Sequence, residues 1–229
     1  MTAEDFNNGQ VLLLDKPLEW TSFQVVNKVR WHIRKQFNLK KIKVGHAGTL
    51  DPLATGLLII CTGKETKNIE TYQGQIKEYT GTFTIGATTP SYDLETEIDT
   101  TYPTEHITEE LIHQTTQQFI GKIQQKPPIF SAIKKDGKRL YELARAGQST
   151  EIASREIEIT EFEITKIDFT KVDFRVVCSK GTYIRSLAHD FGAALNSGAH
   201  LSVLRRTKIG AFSVDDAFDI DGFISSLNN

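Results

Sequence analysis

The order in which strand-like and helix-like patterns follow one another is the feature of this sequence that most limits its fold. Segments with alternating apolar residues, such as KEYTGTFTIG, predict strands that are buried on one face. Segments with apolar residues three or four positions apart, such as GTYIRSLAHDFGAAL, predict amphipathic helices. The two kinds are mixed without strict alternation of one strand and one helix. The pattern therefore predicts an α+β fold with a largely antiparallel sheet.

Other segments can be assigned by the same reasoning. VLLLDKP predicts a short buried strand, and ITEELIHQTTQQFIG predicts a helix that stops at Gly121. In EIEITEFEITKIDF the apolar phase slips between Ile159 and Phe162, which predicts a β-bulge. A further helix is predicted from Ser22, capped by Ser22 or Thr21. Its inward stripe is expected to consist of Phe23, Val26, Val29, Ile33 and Phe37.

Length and composition fit a chain with a substantial core of its own. The 229 residues, 39% of them hydrophobic, fit one large domain or two small ones. No linker-like segment interrupts the sequence, so we expect a single domain over 1–229. Cys61 and Cys178 each end an apolar run and are predicted to be buried strand thiols rather than a disulfide. The start of the sequence lacks a signal-peptide pattern and no apolar run could span a membrane, so we expect a cytoplasmic protein.

The net charge of −2 hides a strongly uneven distribution of charge. Residues 28–43 contain seven Lys or Arg and no acid, and residues 122–145 contain seven Lys or Arg against two acids. Residues 91–110, in contrast, contain seven acids and neither Lys nor Arg. A single charge run is most often only a solvated face. Two basic runs in a chain that is acidic elsewhere suit a partner with a phosphate backbone.

The sequence gives no support for a metal site or a nucleotide-binding loop. None of the six histidines is paired with another His or with a Cys at ligand spacing. The segment CTGKETK contains Gly-Lys but lacks the earlier glycine of a phosphate-binding loop. We therefore expect no metal centre.

The segment GHAGTLDPLATGLLII, residues 45–60, places one carboxylate between a glycine-rich turn and an apolar run. Gly45, Gly48 and Gly56 permit backbone angles and close approaches that other residues disfavour. Pro52 restricts Asp51 to an extended backbone and so orients its carboxylate. Spacing alone leaves two interpretations open: a functional carboxylate, or an aspartate that merely caps LATGLL.

Two further residues become candidates from their local patterns. Arg185 lies in the first turn of a predicted helix, where the positive end of the helix dipole disfavours a cation. It therefore needs an anion, either a carboxylate such as Asp51 or a phosphate, unless it is an ordinary surface arginine. Tyr79 lies on the apolar face of its predicted strand and is either a core aromatic residue or part of a cleft.

Six segments together resemble one protein family. They are VLLLDKPLEWTSF, KVGHAGTLDPLATGLLIICTGKETK, KEYTGTFTIGATTPSYDLETE, QQKPPIFSAIKKDGKRLYELARAG, CSKGTYIRSLAHDFG and GAHLSVLRRTKIG. In this order they are similar to the motifs of the TruB-type tRNA pseudouridine synthases, and they span residues 11–210. The resemblance implies the pseudouridine-synthase fold, a mixed and largely antiparallel central sheet flanked by helices, with a cleft across one face.

The resemblance also implies an activity. Members of this family isomerise one uridine in the T loop of tRNA, at position 55, to pseudouridine, without a cofactor or a metal. The uridine is flipped out of its loop, the N1–C1′ bond breaks, and C5 bonds to C1′. The implied partner is the T stem-loop of tRNA. We expect a monomer with no obligate protein partner and no membrane association.

The matching positions receive roles that the resemblance implies. Asp51 matches the essential aspartate, which attacks C1′ or takes a proton from C2′, and Arg185 matches the arginine that pairs with it. Tyr79 matches the tyrosine that stacks on the flipped base and can remove the C5 proton. The other implied substrate contacts are Tyr183 and Leu204 in the pocket, His46 near the flipped nucleotides, and Lys16, which would hold a phosphate or a loop.

Residues 122–147 match the RNA-clamping insertion of the family. Its implied phosphate contacts are Lys134, Lys135, Lys138, Arg139 and Arg145. About twenty residues follow RRTKIG, so we expect no separate C-terminal RNA-binding domain. Two other functions remain open: a non-catalytic RNA-binding protein or tRNA-folding chaperone, and a glycoside hydrolase. The hydrolase is disfavoured because such enzymes usually use two carboxylates and the motif supplies one.

Overall fold

The computed structural model describes residues 1–131, 133–135, 138–140, 142 and 152–228. The chain divides into two compact units, Met1–Thr80 together with Leu204–Asn229, and Gly81–Val203. Two strands, β4 (Lys77–Ile85) and β12 (Ala199–Ile209), contribute residues to both units. The single domain expected over 1–229 stays a prediction.

The first unit is built around strand β3 (Ala54–Thr62). This strand pairs antiparallel with β1 (Val11–Lys16) and β2 (Val44–His46), and parallel with residues 204–206 of β12. The short strand β13 (Phe212–Ser213) pairs with the end of β12. The helices of this unit are α1 (Ala3–Asn8), α2 (Ser22–Gln36), α3 (Ile69–Gly74) and α6 (Ile220–Ser226), with 3₁₀ turns at Gly63–Asn68 and Val214–Asp216.

Strand β3 is apolar without alternation because both of its faces are covered. Leu58 and Ile60 pack on one face with residues of β1, α2 and α6. Leu57, Ile59 and Cys61 pack on the other face in a second cluster, which includes the end of β12. All five side chains are fully buried. This packing anchors the glycine-rich segment that leads into the strand.

Helix α2 begins at Ser22, as predicted, and the Thr21 side chain caps it. The predicted stripe is wrong at Phe23, whose side chain is 62% exposed. Successive residues are about 100° apart around a helix, so Phe23 lies well off the face on which Ser22 is buried. The members of the stripe that are confirmed as buried or partly buried are Val26, Val29, Ile33 and Phe37.

The second unit has the strand order β4–β11–β10–β7, with β7 at Gly121–Gln125, β10 at Arg155–Asp168 and β11 at Lys171–Cys178. Strand β10 pairs antiparallel with both of its neighbours. The register of β10 on β11 shifts between Ile159 and Glu161, which confirms the predicted bulge. The unit also contains α4 (Glu109–Thr116) and α5 (Ile184–Ala194), the strand pair β5 (Ala87–Thr88) and β6 (Thr100–Thr101), and the strand pair β8 (Lys134–Lys135) and β9 (Lys138–Arg139).

Aromatic rings fill the core of the second unit. Phe83 of β4 stacks on Phe174 of β11, with ring centroids 4.1 Å apart, and Phe162 and Phe191 pack around them. The amphipathic helix predicted from GTYIRSLAHDFGAAL is confirmed as α5, and its buried stripe is formed by Ile184, Leu187, Ala188, Phe191 and Leu195. The packing of this stripe fixes the position of the first turn of α5.

The expected α+β architecture is confirmed, and the sheet is mixed because β3 and β12 are parallel. Helix α4 ends earlier than predicted, at Thr116, and a 3₁₀ turn at Gln117–Phe119 leads to Gly121, which begins β7. The insertion predicted over 122–147 overlaps β7, so residues 122–125 belong to the sheet. Both cysteines are free and buried, as predicted. Within the described ranges, no helix is long and apolar enough to cross a membrane.

Candidate active site

Asp51 lies in the connection between β2 and β3, within the glycine-rich segment. Its carbonyl accepts a hydrogen bond from the Ala54 N–H at 3.1 Å, which closes a turn directly before β3. The Asp51 side chain is half-buried. A fixed backbone is thus combined with partial access to solvent.

The residues on either side of Asp51 are bonded to other segments. The Ser22 hydroxyl, at the start of α2, accepts from the Leu50 N–H at 2.9 Å and donates to the Leu50 carbonyl at 3.2 Å. On the other side, the Pro52 carbonyl accepts from the Glu19 N–H at 2.8 Å. A buried serine that bonds one residue in both directions satisfies its polar groups and restricts its movement. The backbone at Asp51 is therefore held from both sides.

Lys16, the last residue of β1, has no exposed surface. Its Nζ donates to the carbonyls of Pro17 at 2.8 Å, Trp20 at 2.6 Å and Pro52 at 3.4 Å. Burial lowers the pKa of the Lys16 ammonium to about 8, and attraction to the Asp51 carboxylate opposes this shift. Lys16 was expected to hold either a phosphate or a loop, and its bonds to three backbone carbonyls fit the second role.

The lowered pKa of Lys16 predicts a specific pH dependence of stability. Its pKa is about 8 in the folded state, against an ordinary value of 10.5. Between these values the unfolded state binds more protons, so the contribution of Lys16 to the free energy of unfolding rises with pH. We expect the free energy of unfolding of the wild type, minus that of Lys16→Met, to increase by about 3 kcal/mol from pH 7 to pH 11. Urea unfolding of both proteins across this range measures it, and a constant difference would contradict the assignment.

Arg206 of β12 holds the other part of the glycine-rich segment. Its side chain is buried, its Nε donates to the Leu57 carbonyl at 2.8 Å, and its Nη2 donates to the Gly48 carbonyl at 3.1 Å. Gly48 and Gly56 have φ values of +92° and +104°, which favour glycine. At Gly56 a Cβ atom would clash with the backbone oxygen of Arg206. Glycine at this position is therefore required for β3 and β12 to approach each other.

The other predicted contacts in the first unit are His46, Tyr79 and Leu204. His46 ends β2 and is half-buried, and burial lowers its pKa, so its ring is neutral near pH 7. Tyr79 of β4 is buried, with 9% of its surface exposed. Leu204 of β12 is half-buried and pairs with Ala54 at the start of β3. Their roles toward a substrate stay predictions.

In the second unit, Arg185 lies in the first turn of α5 with its side chain 5% exposed. Its Nε is 3.6 Å from Oδ2 of Asp93, which is also buried, and its Nη1 donates to the Ser91 carbonyl at 3.4 Å. Asp93 thus supplies an anion of the kind that the sequence pattern requires. The alternative of an ordinary surface arginine is wrong, because the side chain is buried. The pairing of Arg185 with Asp51 stays a prediction.

Tyr183 directly precedes α5, and Gln125 at the end of β7 holds its backbone. The Gln125 side chain accepts from the Tyr183 N–H at 2.8 Å and donates to the Tyr183 carbonyl at 3.0 Å. The guanidinium of Arg155, the first residue of β10, lies 4.6 Å from the centre of the Tyr183 ring. The end of β7 and the start of β10 therefore both contact the residue that precedes α5.

Part of the predicted RNA-clamping insertion forms a backbone hairpin. Lys134 pairs with Arg139 and Lys135 pairs with Lys138, which joins β8 to β9. The two paired strands thereby place four basic residues next to one another along the backbone. Arg145 lies outside the described residues. Contact of these residues with RNA stays a prediction.

No metal centre emerges from the part of the chain that the structure describes, where no group of three or more His, Cys, Asp or Glu could hold an ion. Two histidines bond with backbone carbonyls instead. The His106 Nε2 lies 2.9 Å from the Leu195 carbonyl, and the His200 Nδ1 lies 3.0 Å from the Ala87 carbonyl. Both contacts link segments of the second unit.

Three residues that shape these sites were not found from the sequence. Ser22 was predicted only as a possible cap, because serine at a helix start usually bonds its own helix. Asp93 falls in the acidic run 91–110, but the run gives no reason to prefer it to six other acids. Arg206 stands beside Arg205, and nothing in the local pattern distinguishes the buried arginine from the partly exposed one.

Comparison with known protein families identifies the family to which this chain belongs. The model of the N-terminal domain of the TruB family pseudouridylate synthases matches residues 34–184. The model of the tRNA pseudouridylate synthase B C-terminal domain matches residues 185–226. The chain belongs to the TruB family of pseudouridylate synthases. The first match includes Asp51 and Tyr79, and the second begins at Arg185.

Relatives and solved structures agree with this membership. A protein of Flavobacterium johnsoniae named tRNA pseudouridine synthase B is 69% identical over 228 residues, which is 99% of this chain and 100% of that protein. A protein of the same name from Phocaeicola vulgatus is 58% identical over 96% of this chain and 93% of its own length.

Two solved structures share the fold. A chain in the crystal structure of a Cbf5-Nop10-Gar1 complex is 32% identical, with a TM-score of 0.73 over 98% of this chain and 56% of that chain. A chain of an H/ACA RNP bound to a substrate RNA containing 2′-deoxyuridine is 30% identical, with a TM-score of 0.69 over 96% of this chain and 53% of that chain. The present chain thus spans about half the length of these solved chains.

Proposed function

We propose that this chain, a pseudouridine synthase that acts on uridine in tRNA, modifies the uridine at position 55 of the T loop. Relatives that match nearly the whole chain carry the name tRNA pseudouridine synthase B, which supports the reaction and the class of RNA. The proposal further holds that the enzyme acts as a monomer in the cytoplasm and needs no obligate protein partner.

The observation that carries the proposal is the immobilised loop around Asp51. Its neighbours Gly48, Leu50 and Pro52 are each bonded to another segment, and Asp51 itself is only half-buried. Chemistry at C1′ needs a carboxylate held to within roughly 0.5 Å of its productive position. A loop fixed in this way has its carboxylate in place before the RNA binds. A protein that only bound RNA would not need a carboxylate held in one position.

Asp51 can serve the reaction in two ways. As a nucleophile, its ionised carboxylate bonds to C1′ while the N1–C1′ bond breaks and the electron pair leaves with the base. As a base, it removes the C2′ proton, the same bond breaks by elimination, and the proton returns at the end. In both routes the base turns and C5 bonds to C1′; in the nucleophilic route the bond between Asp51 and C1′ breaks in this step and frees the carboxylate. C5 then loses its proton and N1 gains one, so the product is an isomer of the substrate.

The proposal is tested by incubating the purified chain with an unmodified T-arm transcript and quantifying pseudouridine. We expect one pseudouridine per transcript, at the T-loop uridine. A transcript with cytidine at that position is the control and should yield none. Absence of product from the wild-type transcript would refute the activity, and product at another uridine would refute the site.

Charge reversal in the β8–β9 hairpin tests the predicted contact with the RNA backbone. Replacing Lys134 and Lys138 with glutamate should weaken binding of the T-arm transcript and flatten its salt dependence. Each lost phosphate contact reduces the slope of log affinity against log salt by roughly 0.7 to 0.9. Fluorescence anisotropy at several salt concentrations measures both quantities. The matched control is reversal of Lys166 and Lys171, exposed residues of β10 and β11, and an equal effect in both variants would count against the hairpin.

A further inference from the structure

One loop of the second unit carries two acceptors of Arg185, and the residue between them has an unusual backbone. Ser91 offers its carbonyl and Asp93 its carboxylate to the guanidinium. Tyr92 lies between them with φ at +64°, in the left-handed region that tyrosine rarely adopts. A strained backbone of this kind persists only where surrounding contacts determine it.

The backbone of Tyr92 is bonded in both directions. Its N–H donates to the Thr89 carbonyl at 3.0 Å, and its carbonyl accepts from the Leu201 N–H at 2.9 Å. Asp93 forms an isolated β-bridge with Leu201. These bonds tie the loop of residues 89–93 to the first part of β12. On the side of the loop that meets α5, the contacts are made instead by side chains of the helix.

The Tyr92 ring makes such a contact with α5. It stacks on the His189 ring, with centroids 4.1 Å apart and an angle of 17° between the planes. His189 follows Arg185 by four residues, so the two side chains lie on the same face of the helix. The loop therefore meets one helix face at two successive positions, through the ion pair at Arg185 and through the ring stack at His189.

His189 is suited to stacking rather than to polar chemistry. Burial lowers its pKa, so its ring is neutral at neutral pH. Its Nδ1 is buried and has no hydrogen-bond partner among the described residues. The flat face of the ring is thus the main feature that this residue offers to the loop.

We propose that Tyr92 and His189 are positioning residues that hold Ser91 and Asp93 against Arg185 and thereby set the rate of the chemical step. The proposal rests on the proposed pseudouridine synthase activity, in which Arg185 takes part. The ring stack keeps the loop in a strained conformation that presents two acceptors to one guanidinium. Without the stack, the loop can relax toward an ordinary backbone, and the geometry around Arg185 changes.

The test separates the chemical step from RNA binding. His189→Ala removes the ring face and should lower the single-turnover rate on a T-arm transcript about tenfold, because small displacements of catalytic groups are costly. The dissociation constant for the transcript should change by less than about twofold, since phosphate contacts dominate affinity. His189→Phe restores a ring face and should recover most of the lost rate.

Two further variants separate the ring from other effects. Tyr92→Gly tolerates the positive φ but has no ring, so its rate should fall as it does in His189→Ala. Val172→Ala, in the buried core of the same unit, should lower the thermal midpoint without changing the rate. In an Asp93→Asn background, His189→Ala should add little further loss, because both substitutions act through Arg185.

An unchanged rate in His189→Ala, equal losses in His189→Ala and His189→Phe, or full additivity with Asp93→Asn would each overturn the positioning role. A wild-type chain that forms no pseudouridine would overturn the proposed function and this role with it. Product from the wild type together with any of the first three results would overturn the positioning role alone. The two failures are therefore distinguishable in one set of assays.

Discussion

Asp51→Asn should abolish pseudouridine formation while leaving the affinity for tRNA within a few fold of wild type. The amide is nearly isosteric with the carboxylate, so the bonds that hold Gly48, Leu50 and Pro52 are preserved. An amide, however, can neither attack C1′ nor take a proton from C2′. Loss of a catalytic carboxylate or nucleophile typically slows an enzyme by about 10⁴-fold or more. Affinity is retained because phosphate contacts supply most of it.

Single-turnover assays and binding measurements with the same T-arm transcript distinguish these effects. Asp216→Asn, which removes an exposed acid in a 3₁₀ turn, is the matched control and should behave as wild type. Product from Asp51→Asn at a rate near that of wild type would remove the catalytic role of Asp51. It would favour the alternative of a non-catalytic RNA-binding protein or tRNA-folding chaperone.

Arg206→Met should lower the free energy of unfolding by about 3 kcal/mol and also slow the reaction. Methionine fills a similar volume but leaves the Gly48 and Leu57 carbonyls without the donors that they have now. Each buried acceptor that loses its partner costs about 1 to 3 kcal/mol. Because Gly48 lies three residues before Asp51, the carboxylate should also be held less firmly.

Urea unfolding and single-turnover rates measure these two consequences. The matched control is Arg34→Met on α2, since Arg34 is exposed and bonds only one carbonyl among the described residues through its Nε, that of Leu39 at 3.3 Å. Substitutions at such sites usually change stability by no more than about 0.5 kcal/mol. Equal costs for the two arginines would show that the buried bonds of Arg206 do not stabilise the glycine-rich segment.

The elements that could be predicted from the sequence are those with a local cause. The alternation along β4 and β10, the bulge after Ile159 and the stripe of α5 each follow from residues within one segment. The error at Phe23 has a local cause as well. A stripe that starts at Ser22 instead of Phe23 fits the helical spacing almost equally well. The glycines and the proline around Asp51 made it a candidate, but only the resemblance to the family gave it a catalytic role.

The contacts that fix the candidate site could not be predicted, because they join distant segments. Lys16 and Ser22 reach the loop from β1 and α2, and Arg206 reaches it from β12. Neither periodicity nor spacing indicates that the Ser22 side chain points inward, or that Arg206 rather than Arg205 is buried. The role of Asp93 could not be predicted for the same reason, because its partner Arg185 on α5 is some ninety residues further along the chain.

The parallel pairing of β3 with β12 has a consequence for the order in which the protein is made. Gly56 follows Asp51 closely in the sequence, but the strand that it contacts is synthesised about 150 residues later. A chain that is still emerging from the ribosome thus has its carboxylate long before it has the arginine that immobilises the loop. We expect incomplete chains to carry the glycine-rich segment in an unfixed form. Competence for catalysis should therefore be acquired near the end of translation, and a prematurely terminated product should leave cellular RNA unmodified.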